Sequence, residues 1–152
     1  PAVRIGWVAA PPEWATQLSE VVPEVGVLDQ LTLAGFLRSG GYDRHLRQAR
    51  RRYRARRDLL VSAIAGGLPG ARVSGVAAGL HLLVELPGCV RAAAVKAAAA
   101  ERGVSVMDLA AYRLAPTPQD SALVLGYGNL PDRLVEPAVA ELAAAVRTAE
   151  SG

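Results

Sequence analysis

Two glycine pairs, Gly40-Gly41 and Gly66-Gly67, bracket the longest periodic segment of the chain, and that segment restricts what the remainder can build. Between Tyr42 and Ala65 the apolar and aromatic positions recur at Leu46, Ala49, Tyr53, Leu60 and Ile64. Intervals of three, four and seven place them along one side of an α-helix, so the spacing predicts one long helix over 42–65 with a single buried stripe. Gly66-Gly67-Leu68-Pro69-Gly70 ends it. A helix of this length needs a covering layer for its stripe.

The residues that follow supply one. Leu80 to Leu86 alternates, with Leu80, Leu82, Val84 and Leu86 on one face and His81, Leu83 and Glu85 on the other, and Pro87-Gly88 turns the chain. Arg91 to Arg102 reads as an Ala-rich helix closed by Gly103, then come a short strand at Val104 to Met107 and an irregular loop from Asp108 to Asp120. Ala122 to Tyr127 is a further strand, and Leu130-Pro131-Asp132 leads into a last helix reaching about Ala149. Strands alternating with helices imply an α/β or α+β layered fold in which a short sheet is covered by helices.

Ahead of the long helix, Pro1 to Pro12 is an apolar run around Arg4 that reads as an interior strand of a larger sheet whose partners are missing. Pro12-Glu13-Trp14 starts a short helix carrying Trp14, Leu18, Val21 and Val22, stopped by Pro23 and Gly26. Leu28 to Arg38 is a second helix, with Leu28, Leu31, Ala34, Phe36 and Leu37, closed by Ser39-Gly40-Gly41. That closure is the expected domain boundary, separating residues 1–40 from 41–152.

The 152 residues, 51% of them apolar, suffice for one sizeable core. No apolar run is long enough to cross a bilayer and no export leader is present, so a cytoplasmic location is expected. The single Cys89 makes neither an internal disulfide nor a metal cluster. Net charge is only +3, yet nine arginines lie between Arg38 and Arg57.

Clustered guanidinium groups suit phosphates, which raises nucleic-acid binding as one function class. Arg44, Arg47, Arg51, Arg54 and Arg56, however, fall on the arc left over by the apolar stripe, where long side chains can lie over apolar surface, and no RNP, zinc or helix-turn-helix signature accompanies them. Arg4 stands inside the apolar run Ala2 to Ala10, so its charge either reaches solvent at a strand end or holds an anion, for which a phosphate is the natural choice. His81 lies beside Ala78-Gly79, opposite the apolar face of its strand; a lone histidine there is more often structural than catalytic, and His45 more so. Tyr53, Tyr112 and Tyr127 read as amphipathic core residues. No Ser-His-Asp arrangement, phosphate-binding glycine loop or metal-ligand spacing is present.

Four segments occur together in one group of proteins: Arg4-Ile-Gly-Trp-Val-Ala-Ala-Pro, Gly41-Tyr-Asp-Arg-His-Leu-Arg through Arg54-Ala-Arg-Arg-Asp58, Ala78-Gly-Leu-His-Leu-Leu-Val-Glu-Leu86, and Leu125-Gly-Tyr-Gly-Asn-Leu130. On these the chain resembles the carboxy-terminal part of a fold-type I pyridoxal-phosphate aminotransferase domain, and more closely the MocR subgroup of GntR-type transcriptional regulators. In that subgroup a winged helix-turn-helix DNA-binding domain precedes an aminotransferase-like, effector-sensing domain. The resemblance implies that residues 1–40 end the large cofactor-binding domain and that 41–152 form the small domain. It also implies homodimers with cofactor sites at the subunit interface, where the helix Leu28 to Arg38 would lie. Arg4 is the implied ligand of the cofactor phosphate. The Schiff-base lysine of the pattern would precede Pro1, so the chain is expected to hold no catalytic residue and to be inert alone; Lys96, its only lysine, matches no such motif.

In ordinary aminotransferases of this fold the strand matching Ala122 to Tyr127 supplies an arginine that clamps the substrate carboxylate. Here that position is Val124, with Arg113 as a possible substitute. The implied function is sensing of pyridoxal phosphate and an amine or amino acid, closure of the small domain repositioning DNA-binding domains elsewhere in the protein, with neither membrane nor metal involved. The competing expectations are a free-standing aminotransferase acting on amino acids and a nucleic-acid module built on the Arg38 to Arg57 cluster.

Overall fold

In a computed structural model of the chain, the structure describes residues 5–22, 25–74, 79–88, 90–115 and 121–151. The chain divides into two compact units, Pro1–Ala49 and Arg50–Gly152. No helix of the described residues is long and apolar enough to cross a membrane.

The first unit holds helix α1 (Pro12–Val21), helix α2 (Val27–Arg38) and the start of α3 (Gly41–Gly67). Pro12 occupies the first helical turn of α1, where its missing N–H costs nothing. Gly40 adopts a left-handed φ of 67° between α2 and α3, and a Cβ on Gly41 would lie 2.5 Å from the Phe36 ring, so the tight turn requires glycine at both positions. Phe36 meets Tyr42 edge-on at 6.2 Å. Neither α1 nor α2 contains a buried residue: Trp14, Val21, Val22, Leu28 and Leu31, the expected apolar faces, are exposed.

The strand expected at the opening of the chain is not found over its described part. Residues 5–10 carry no regular secondary structure. A strand exists only through ladder hydrogen bonds to a neighbour, and alternation in sequence cannot provide the neighbour.

The second unit is a four-stranded antiparallel sheet packed under helices. Strands β1 (Arg72–Ser74), β2 (His81–Glu85), β3 (Met107–Asp108) and β4 (Ala122–Gly126) are ordered β1-β2-β4-β3, so β4 inserts between β2 and β3. Helix α4 (Ala92–Glu101) links β2 to β3, and α5 (Val135–Glu150) follows β4 through a 3₁₀ turn at Asp132–Leu134. The core unites Leu60 and Ile64 of α3, Leu82 and Val84 of β2, Leu123 and Leu125 of β4, Val95 and Ala99 of α4, and Val135, Val139, Leu142 and Val146 of α5. The helix and strand periods read from the sequence therefore converge on one interior, confirming the mixed α/β class. The end of α4 shows why Gly103 stops it: with φ at 76°, Gly103 donates to Ala100 O at 3.0 Å and Val104 to Ala99 O at 2.9 Å, the paired bonds of a Schellman cap.

Several local expectations are corrected. β1 falls in a segment to which the sequence assigned no element; three residues give too short a pattern to detect, and β1 is a strand because Arg72, Val73 and Ser74 pair with Glu85, Val84 and Leu83. Leu80 lies ahead of β2 rather than in it and is partly exposed. The strand expected at Val104 to Met107 moves to Met107–Asp108, where β4 is available for pairing, while Val106 reaches the core without being in a strand. The loop after it contains a 3₁₀ turn at Leu109–Tyr112, capped by the Asp108 carboxylate accepting from Ala110 N at 2.9 Å. Tyr112, expected in the core, is exposed on that turn.

Candidate functional site

Val124, the residue that the family resemblance sets at the substrate-clamp position, falls on the face of the sheet turned away from the core. Because β2 and β4 alternate, Leu82, Val84, Leu123 and Leu125 enter the core while His81, Leu83, Val124 and Gly126 occupy the opposite face. Register aligns Ser74, Leu83, Val124 and Met107 as one row across all four strands, with His81 and Gly126 as the next row. The middle of this face is apolar. A Cβ on Gly126 would lie 3.5 Å from the imidazole of His81, so glycine leaves open the floor beside that ring. Ser74 Oγ is buried without a hydrogen-bond partner among the described residues. Val124 is central and half-buried, and as valine it offers a carboxylate nothing to bind.

Arg113, the candidate substitute, follows the 3₁₀ turn that packs against β3 and β4, and its backbone N–H donates to Ala110 O at 3.2 Å. It is exposed. His81 is exposed at the start of β2; His45 is exposed on α3, tilted against the Phe36 ring at 6.4 Å. Arg4, the one residue assigned to the cofactor, and Cys89 lie outside the described residues.

Behind this face, Arg56 braces the segment leaving β4. It was expected beside the stripe, on the remaining arc of the long helix, and that placement is corrected: its side chain is only 12% exposed and is held by polar partners. Its Nε donates to Asp132 Oδ1 at 2.7 Å, and its Nη1 donates to the carbonyl oxygens of Gly128 at 2.7 Å and Tyr127 at 3.2 Å. The signal lay in the spacing: Arg56 stands three residues after Tyr53 and four before Leu60, on the stripe itself. Tyr127 completes the brace. Its ring is buried, its OH donates to Gly79 O at 2.8 Å and its N–H to Leu80 O at 2.9 Å.

A pyridoxal-type cofactor needs a lysine for its covalent bond and a cation for its phosphate. Lys96 is exposed on α4, in the helical layer on the core side of the sheet, and so cannot serve the opposite face. The described residues therefore do not fit covalent attachment, and the Ser74 hydroxyl is a buried polar group left without a partner among them. Through residue 37 the sequence has one cationic side chain, Arg4, among four carboxylates.

No family model matches the chain. It is 31% identical over 152 residues to the HTH-type pyridoxine biosynthesis transcriptional regulator PdxR of Corynebacterium glutamicum, covering 96% of this chain and 32% of that protein. It is 28% identical over 147 residues to the uncharacterized HTH-type transcriptional regulator YhdI of Bacillus subtilis, covering 93% of this chain and 31% of that one. A further relative at 28% is the probable rhizopine catabolism regulatory protein MocR of Rhizobium meliloti, with 99% and 31% covered. The chain thus spans about a third of the length of the curated relatives it matches. Among solved structures, the α-aminoadipate aminotransferase LysN of Thermus thermophilus, complexed with N-(5'-phosphopyridoxyl)-L-leucine, superposes with a TM-score of 0.81 at 21% identity over 93% of this chain and 37% of its own. The kynurenine aminotransferase of Pyrococcus horikoshii gives 0.75 at 19% identity over 90% and 33%. These likenesses establish the fold. Along nearly its whole length the chain is homologous to MocR-type regulators of the GntR family, whose C-terminal portion it matches, and it carries the fold of part of a pyridoxal-phosphate aminotransferase.

Proposed function

We propose that this chain is the distal part of an aminotransferase-like sensor in a MocR-type transcriptional regulator, one that takes pyridoxal phosphate, with or without an amine or amino acid, as its effector. The observation that carries the reading is the pairing of regulator homology over 93–99% of the chain with an apolar residue, Val124, at the clamp position. A sensor can dispense with a strong carboxylate clamp, whereas an amino-acid aminotransferase depends on one for substrate orientation.

In this reading residues 1–40 close the large domain and 41–152 form the small one, and Arg4 holds the phosphate bidentately. The cofactor's chemistry, an electrophilic aldehyde, is supplied with a lysine outside these residues. The exposed apolar faces of α1 and α2 belong against the rest of a longer protein and, for α2, against a second subunit. DNA is bound through a helix-turn-helix domain of the longer protein, in the cytoplasm.

The test uses the full-length protein. Pyridoxal phosphate should bind, as followed by its visible absorbance, and should change the affinity for promoter DNA; Arg4→Gln should weaken the cofactor about tenfold or more, as loss of a charge-assisted phosphate contact does. Steady transamination of amino acids without any effect on DNA binding would replace the sensor with an enzyme. Arg113→Ala with unchanged amino-acid affinity would dispose of Arg113 as the substitute clamp.

A further inference from the structure

Only one of the nine arginines in the 38–57 cluster is held by the brace, and three of the others converge. Arg50, Arg54 and Arg57 stand at i, i+4 and i+7 on α3 and line one groove of about 510 Å³, walled by Tyr53 and Tyr127. With a rise of about 1.5 Å per residue, the three backbone positions span roughly 10 Å of the helix. Like charges at this spacing repel, and the sole carboxylate in the groove is Asp58, 3.5 Å from Arg57 and 64% exposed. Neither Arg50 nor Arg54 has an acidic partner among the described residues. The Nε of Arg57 is buried with no hydrogen-bond partner among them. An excess of two positive charges in a concave, partly aromatic site of small-molecule size has no role in the brace, the core or the sheet face.

We infer that this groove is a binding site for a phosphate group carried by a small molecule, an inference that does not rest on the sensor reading. Arg50 and Arg54 would grip the phosphate oxygens in fork geometry, Arg57 would add charge from the wall, and Tyr53 would offer a face to an aromatic or apolar substituent. A groove of this volume lies within the range of small-ligand sites. The remaining arginines do not extend it into a track for a nucleic-acid backbone: Arg52 lies over the Tyr53 ring at 5.2 Å, Arg56 is turned inward, and neither Arg51 nor Arg47 lines the groove.

The test is calorimetric titration of the full-length protein carrying Arg4→Gln, which weakens the phosphate contact proposed for Arg4, at constant ionic strength. Inorganic phosphate and phenyl phosphate are the probes. Both should bind, phenyl phosphate more tightly through Tyr53. Arg50→Gln and Arg54→Gln, both at exposed positions, should each weaken binding about tenfold, and Arg51→Gln should leave it unchanged. No heat with either probe, or equal affinity in the Arg50 and Arg54 variants, overturns the proposal. So does binding of a DNA duplex that falls in those variants while the phosphate probes give no signal, since the groove would then be a nucleic-acid contact.

Discussion

Replacing Arg56 by methionine separates two explanations of the brace that look alike by inspection. The ion pair to Asp132 is short, at 2.7 Å, but the carboxylate is 60% exposed, so water and salt screen it and its contribution should stay below about 1 kcal/mol. The bonds to the carbonyls of Tyr127 and Gly128 are partly buried, and one cationic donor serves both. Hydrogen bonds from a charged group contribute roughly 1.5–3 kcal/mol each; allowing for the 3.2 Å length to Tyr127 and for non-additivity, the pair should contribute about 2–4 kcal/mol. Methionine keeps much of the apolar stem. Native-state hydrogen exchange, read on peptides covering residues 122–135, follows opening of this segment alone. Exchange should accelerate about 30-fold or more in Arg56→Met and no more than about fivefold in Asp132→Asn. An Asp132→Asn effect equal to or larger than that of Arg56→Met would refute the reasoning, because the exposed ion pair would then be the main restraint.

The other expectations concern single contacts. Ile64→Ala, at a fully buried α3 position, should cost about 2–5 kcal/mol in denaturant unfolding of the second unit, through lost burial and the cavity left behind. Tyr127→Phe keeps the ring buried and removes only the bond to Gly79 O, so about 1 kcal/mol should be lost by the same measurement, with the Gly79 end of β2 exchanging faster. Gly41→Ala drives a methyl into the Phe36 ring, and the α2–α3 turn should lose about 1–3 kcal/mol, visible as faster proteolysis between residues 36 and 42. Val124→Arg places a guanidinium on the open sheet face and should raise amino-acid affinity of the full-length protein about tenfold by calorimetry; no gain would mean the register of the clamp position is wrong.

Val124 also shows how closely fold and function can separate. The fold is that of aminotransferases at about 20% identity, and the sheet and its helical cover do not depend on what side chain faces outward at this row. A side chain on this row can therefore be exchanged while leaving the core untouched. Arg50, Arg54 and Arg57 likewise stand outside the hydrophobic core and line a common groove.

What could be read from the sequence by itself was whatever a residue's near neighbours decide. The stripe from Tyr53 through Leu60 to Ile64, the alternation from Leu82 to Leu86, the glycine at 103 and the proline at 12 are local patterns, and α1 to α5, β2 and β4 formed where they predicted. The resemblance to a MocR-type sensor was legible for the same reason, since it lay in contiguous motifs. Tertiary structure alone decided the positions that depend on a distant partner. Residues 5–10 have a strand's alternation and no strand, whereas Arg72–Ser74 have almost no pattern and form one, because β2 stands beside them. Arg56 counts as a charged surface residue until the carbonyls of Tyr127 and Gly128, more than 70 residues away, are brought within hydrogen-bonding distance. A side chain's periodic position sets the direction in which it points; only the folded neighbour determines whether that direction leads to water, to a carbonyl or to a ligand.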